Sequence, residues 1–223
     1  MHVKQTAVNG TSSIGLYGFV NDDFALIGET TSDSFAENVE DVLDVPTHRV
    51  TIAGTNLIGA FVTGNNKTLL VPDMLEPHEK DVFEELPVDV AVIHTNYTCL
   101  GNNVLVNDDA AMTSTTFSEA ETTHIGDALD IPANQGGLAG IEAIGTLAVF
   151  NDEADRMVIS NDITDDEFER VTGHFTVTGT PSSVNQGAAQ IRCGVLCNEN
   201  GFLVGKASGG PEITTIDKGL GFV

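Results

Sequence analysis

The stretch TIAGTNLIGAFVTGNNKTLLVP, Thr51 to Pro72, holds a glycine-bearing apolar run that ends in asparagine, and that run recurs along the whole chain. Its copies are IGLYGFVN (Ile14 to Asn21), IGAFVTGN (Ile58 to Asn65), LGNNVLVN (Leu100 to Asn107), IGTLAVFN (Ile144 to Asn151) and IRCGVLCN (Ile191 to Asn198). The five asparagines fall 44, 42, 44 and 47 residues apart. A period of this size marks one supersecondary unit copied in series, each unit too small to bury its apolar face without its neighbours. A second register agrees: LDVPTHRVTIAGTNLIG (Leu43 to Gly59) matches LDIPANQGGLAGIEAIG (Leu129 to Gly145) at seven of seventeen positions.

Each unit reads as strand, polar turn, return strand, helix and third strand. In the first, Ile14 to Val20 is a strand, Asn21-Asp22-Asp23 the turn and Phe24 to Ile27 the return strand. Asparagine bonds its own backbone and tolerates positive φ, so its recurrence is structural rather than catalytic. Ser32 to Leu43 carries Phe35, Val39, Val42 and Leu43 at half-buried helical spacing. Ser34 with Glu37 has capping-box spacing, with Thr31 or Ser32 as alternative caps. The second helix starts near Pro77, a residue suited to a first turn, and Val88 to Ile93 is the strand after it. Ser118 with Glu121 and Thr164 with Glu167 repeat the capping-box spacing in units three and four. The fourth unit has two extra residues around Asp152 to Asp155 and a short helix near Thr164 to Val171. The last helix starts near Pro211 and no strand follows it, whereas His2 to Val8 has nothing before it to pair with. We therefore expect a closed α/β ring: five units around a pseudo-fivefold axis, sheets inside and helices outside. It is one domain, 1–223, divided near 1–50, 51–94, 95–137, 138–182 and 183–223.

Nine basic against 33 acidic residues give a net charge of −24. Such a surface lacks the lysine and arginine footprint of a protein that binds nucleic acid by charge. The acids are spread over every unit, Asp22, Asp23, Glu37, Glu84, Glu85, Asp108, Asp109 and Asp165 to Glu167 among them, and the apolar pattern is intact. That is the appearance of a cytoplasmic protein from a salt-accumulating halophile, where the Debye length at molar salt is about 3 Å. No signal peptide and no membrane span are expected. Cys193 and Cys197 read as one strand that separates them by ~13 Å, too far for a disulfide. With Cys99 they make an odd count, which points to a reducing cytoplasm. His2, His48, His78, His94, His124 and His174 are scattered, none pairs at i, i+4, and neither a metal nor a cofactor is expected. Gly15, Gly59, Gly101 and Gly145 sit at one repeat position, where close backbone approach is the plain reading. Asp108 and Asp109 read as solvated turn carboxylates.

The second unit, CLGNNVLVND of the third, IGLYGFVNDDFALIG of the first and the fivefold spacing together resemble the translation initiation factor 6 family of archaea and eukaryotes, over essentially all 223 residues. The resemblance implies the pentein fold, shared with guanidine-modifying enzymes, in a member that is not an enzyme. It implies binding to the large ribosomal subunit on its intersubunit side, beside the sarcin-ricin loop, which blocks joining of the small subunit. A role in large-subunit maturation, a monomer, ribosomal proteins and rRNA as partners, and no membrane or small-molecule substrate follow from it too. Carried over by motif, the ribosome-binding surface holds Asn102, with Leu100 and Gly101 beside it and Asn56 and Ala60 in the pseudo-equivalent turn. Ala60 stands where eukaryotic relatives often have arginine, and MVISND replaces an LVHP-like ending in unit four. We expect contacts mainly to basic ribosomal proteins. The rival reading is a pentein enzyme using Cys193 or Cys197 with His124 or His174. Against it, IRCGVLC is an apolar run in which a buried inert thiol is ordinary.

Overall fold

A computed structural model describes residues 1–223. The chain forms five three-stranded sheets, one per unit. The first contains Gly18–Val20, Ala25–Gly28 and Thr47–Val50, the second Thr63–Gly64, Thr68–Pro72 and Asp89–Ile93. The third contains Val104–Val106, Ala111–Thr113 and Ala133–Gln135, the fourth Ala148–Asn151, Arg156–Ser160 and Thr178–Ser182. In each, the middle strand pairs antiparallel with the strand before it and parallel with the one after the helix. The fifth sheet takes Val195–Asn198 and Gly201–Gly205 from the end of the chain and Val3–Thr6 from its start, with Val3 opposite Phe202 and Thr6 opposite Gly205. This is the ring closure expected from the unpaired first segment, and the fivefold α/β ring is the pentein arrangement.

Five apolar clusters lie at the seams between units and explain why no unit stands alone. Phe19, Phe24 and Leu26 of unit one pack with Ile58, Leu69 and Phe83 of unit two. Leu196 and Leu203 of unit five pack with Val8, Ile14 and Phe35 of unit one. Each helix therefore shields a seam from water, and the free energy of apolar burial is shared across unit boundaries.

Three local readings are corrected: the class of the glycine-bearing runs, the first helix's cap and the length of the fourth helix. The glycine-bearing runs do not begin as strands: Ile14–Tyr17, Ile58–Phe61, Leu100–Asn103, Ile144–Thr146 and Ile191–Gly194 are single helical turns, and only then does the chain extend. Cys193 accordingly lies in a helical turn and Cys197 in a strand, so they do not share one strand, and both thiols are free. The first helix, Asp33–Leu43, is capped by Ser32, whose hydroxyl accepts from the Phe35 amide; the Ser34–Glu37 box does not form. The boxes at Ser118–Glu121 and Thr164–Glu167 do form. The fourth helix, Asp165–Phe175, runs further than the sequence reading placed it.

Candidate functional site

The five helical turns pack against one another around the axis, and their glycines set how closely. A Cβ on Gly15 would overlap the Arg192 carbonyl, one on Gly59 the Gly15 carbonyl, and one on Gly101 the Gly59 carbonyl. In the fifth unit the glycine position is Arg192, and the axis has room for that one side chain. Its guanidinium donates to the carbonyls of Gly101 and Val62, at 2.6 and 3.0 Å. Burial pushes Arg192 down to about 10, so it stays charged at neutral pH. The arginine divides the axis into two unlike ends.

At one end, the residues following the glycine position, Leu16, Asn102, Thr146 and Cys193, line a shallow mouth. Asn102 is half-buried, and its side chain makes no hydrogen bond within the chain; the neighbouring Asn103 amide bonds the Cys99 carbonyl instead, at 2.8 Å. Ala60 occupies the same repeat position but is buried, as are Leu100 and Gly101, so these three shape the mouth without projecting from it. Asn56 is half-buried, and its Oδ1 accepts from the Thr30 amide at 3.0 Å, tying the second unit's opening loop to the first unit. Leu57, Tyr97 and Ile141, exposed in the loops around this mouth, escaped the sequence reading, although they recur just before the helical turns. Those loops, 9–13, 53–57, 95–99, 139–143 and 185–190, carry a single charged residue, Glu142.

The other end is acidic. There the turns 21–23, 65–67, 107–109, 151–155 and 198–200 hold Asp22, Asp23, Asp108, Asp109, Asp152, Glu153, Asp155 and Glu199 against one cation, Lys67. The residue after each repeat asparagine turns toward its neighbour. The Asp22 amide donates to Asn66 Oδ1 at 3.0 Å, the Asn66 amide to Asp108 Oδ1 at 2.8 Å, and the Glu199 amide to Asp22 Oδ1 at 2.9 Å. Asn66 Nδ2 bridges Asp22 and Asp108 at 2.6 and 2.8 Å. Asp152 completes this acidic end, and its Oδ1 is buried without a hydrogen-bond partner. Burial, then the Asp108 charge, pushes Asp152 up to about 7. Asp108 is therefore part of a carboxylate ring and not an isolated solvated turn residue. A cavity of about 100 Å³ lies between this ring and Arg192.

The cysteines and histidines of the rival reading are not brought together. His124 is exposed on the third unit's helix, and His174, on the fourth, has Nε2 at 2.8 Å from the Ala111 carbonyl. Cys193 and Cys197 lie at the axis, where Cys197 Sγ donates to the Phe150 carbonyl at 3.0 Å. Burial pushes all three thiols up, the opposite of what activates a nucleophile. Native protein at pH 7 is accordingly expected to label with a thiol reagent about tenfold or more slowly than the urea-unfolded chain. One thiol reacting faster in the folded state would revive the enzyme reading.

Residues 3–219 match the eIF-6 family. Among similar proteins, translation initiation factor 6 of Sulfolobus acidocaldarius is 34% identical over 98% of both chains. That of Pyrococcus abyssi is 31% identical over 100% of both. That of Haloquadratum walsbyi is 29% identical over 96% of this chain and 94% of its own. Among solved structures, agmatine deiminase of C. jejuni aligns at a TM-score of 0.47 and 15% identity, over 87% of this chain and 71% of that one.

Proposed function

The chain belongs to the eIF-6 family, and from that premise we propose that it binds the large ribosomal subunit and blocks joining of the small subunit by occupying the space. The proposed mechanism needs no reactive group, only a rigid body with a preformed contact face, and we read the chain as a cytoplasmic non-enzyme. No helix is long and apolar enough to cross a membrane.

One observation favours a particular orientation: the charge asymmetry along the axis. In a chain of net charge −24, the loops at one end carry one charged residue, whereas the turns at the other carry eight acids. RNA phosphates repel the second end and tolerate the first. Docking through the Asn102 mouth buries Leu57, Tyr97 and Ile141 and leaves the carboxylate ring facing away. Asn102 then offers a free amide to the partner, and Asn56 contributes from the opening loop of unit two; basic ribosomal proteins at the rim suit the acidic flanks.

Sedimentation with isolated large subunits in molar potassium chloride tests this. Co-migration and a fall in joined ribosomes on adding small subunits are expected. Asn102→Ala is expected to weaken binding by about 1–2 kcal/mol, with no loss of thermal stability. Protein that stays at the top of the gradient, or an Asp109→Asn variant that alone abolishes binding, would sink the proposed orientation.

A further inference from the structure

Most of the loops around the mouth hold a strained conformation, and the strain has a recurring partner. Besides the unit-one loop, three of them cross a tight turn through consecutive residues in the left-handed region: Ala53 and Gly54 at φ 49° and 73°, Ala139 and Gly140 at 52° and 66°, Gln186 and Gly187 at 68° and 98°. Left-handed alanine and glutamine are unfavourable. Successive residues in this conformation also turn their amide N–H groups to one side, making a concavity that attracts an anion.

In each of these loops a glutamate from the same unit's outer helix fills that place. Glu79 accepts from the Ala53 and Gly54 amides and from the Glu76 amide at the helix start, all at 2.9 Å, and from the Thr51 hydroxyl at 2.6 Å. The residue is only 1% exposed, yet no cation pairs with it; three backbone amides and one hydroxyl carry the compensation. Glu212 repeats the arrangement, accepting from the Gln186, Gly187 and Gly209 amides at 3.1, 2.9 and 2.8 Å. Glu167 accepts from the Ala139 and Thr164 amides at 3.1 and 2.8 Å. Each carboxylate thus fastens a loop at the axial mouth to the start of a helix on the outside of the ring.

The two remaining units supply internal contrasts. In unit three, the only group of the loop that Glu121 reaches is the Thr95 hydroxyl, at 2.8 Å, and no residue of 95–99 has positive φ. In unit one, Asn9 and Gly10 adopt the same pair of left-handed conformations, φ 50° and 82°, but Phe35 stands at the glutamate's helical position and is buried in the core. The Asn9 and Gly10 amides have no acceptor in the chain.

We infer that Glu79, Glu167 and Glu212 are positioning residues for docking: they hold three of the five opening loops in the shape that the partner meets. The docking half rests on the functional reading above. Lowered carboxyl pKa values agree, since amide donors favour the charged form.

The test combines amide hydrogen exchange with large-subunit co-sedimentation, in wild type, Glu79→Gln and the less buried Glu212→Gln. In wild type the Gly54 and Gly187 amides are expected to exchange slowly, and the Gly10 amide, held by no carboxylate, quickly. The variants are expected to exchange the corresponding loop amides about tenfold faster while amides of Leu69 to Val71 and Leu203 stay protected. Affinity for the subunit is expected to fall about fivefold or more with the same saturation level, as it does when the competent loop shape becomes a minor population. Faster loop exchange with unchanged affinity overturns the docking role, and unchanged exchange overturns the positioning role. Wild type that never co-sediments overturns the functional reading and the docking half with it, while the exchange comparison still decides whether these glutamates hold the loops.

Discussion

Asp152→Asn is expected to raise the melting temperature at pH 8 and to leave it nearly unchanged at pH 4. The sign follows from linkage. Folding pushes this carboxyl up from 3.8 to about 7, so the native state keeps a proton that the unfolded chain releases. Stability is therefore highest below the ordinary value, falls as pH rises toward 7, and stays low above it. At about 1.36 kcal/mol per pH unit the gap has an upper bound of about 4 kcal/mol, and molar salt screens the part due to Asp108 and Asp22, leaving about 2–4 kcal/mol. For a chain of this size that is about 5–10 °C. The replacement has a precedent in the same ring, where Asn66 donates to Asp22 and Asp108. An asparagine at 152 removes the buried charge and offers a donor to the neighbouring carboxylates. Thermal unfolding at pH 4, 6 and 8 decides; a loss of stability at pH 8, or a gain that does not change with pH, would show that burial of this carboxylate is not a strain on the native state.

The largest loss is expected from Gly15→Ala. The added methyl would overlap the Arg192 carbonyl and approach the Val195 carbonyl at 3.0 Å, both of them backbone. In an open structure one element could retreat. Here the turn at 14–17 is held on its other side by Gly59, whose own Cβ position falls on the Gly15 carbonyl, and the contacts continue around the ring. We expect a loss of about 3 kcal/mol or more, at the upper end for overpacking, and poor soluble yield. Gly173→Ala is the control. That glycine lies in the helix Asp165–Phe175 with nothing near its missing Cβ, and alanine there is expected to add about 0.5–1 kcal/mol. Urea unfolding of both variants tests the ring argument, which fails if Gly15→Ala lies within about 1 kcal/mol of wild type.

What the sequence determined by itself is what depends on neighbours a few residues away. The repeat asparagines were legible because their bonds are local: Asn21 Oδ1 accepts from the Asp23 and Phe24 amides, Asn65 from Lys67 and Thr68, and Asn107 from Asp109 and Ala110. The Ser118 and Thr164 caps and the proline at the start of the Pro77–Glu84 helix were legible for the same reason. Ring closure was legible from counting strands, since one unit ended short and the chain began with a spare.

Where a local signal was too short, the sequence reading failed. Four residues of small and apolar character do not distinguish a helical turn from a strand, so the runs beginning at Ile14 and Ile58 were placed in the wrong class. Asn151 looks like its four counterparts, and its amide donates to the Leu220 carbonyl as that of Asn198 does to Leu43, but its Oδ1 accepts no hydrogen bond.

Only the tertiary structure decided what meets at the axis. Asp22, Asn66, Asp108, Asp152 and Glu199 are separated by whole units, and each alone is an ordinary polar turn residue; closure of the ring puts them side by side and strips water from Asp152. The same closure leaves room for one side chain among four glycines, which is why Arg192 binds carbonyls from two other units. Folding within single units sets Glu79 and Glu212 under loops that lie 25 and 26 residues before them. Hydrogen bonds within a turn are written in adjacent residues, whereas desolvation and crowding around an axis arise only when all five units are in place.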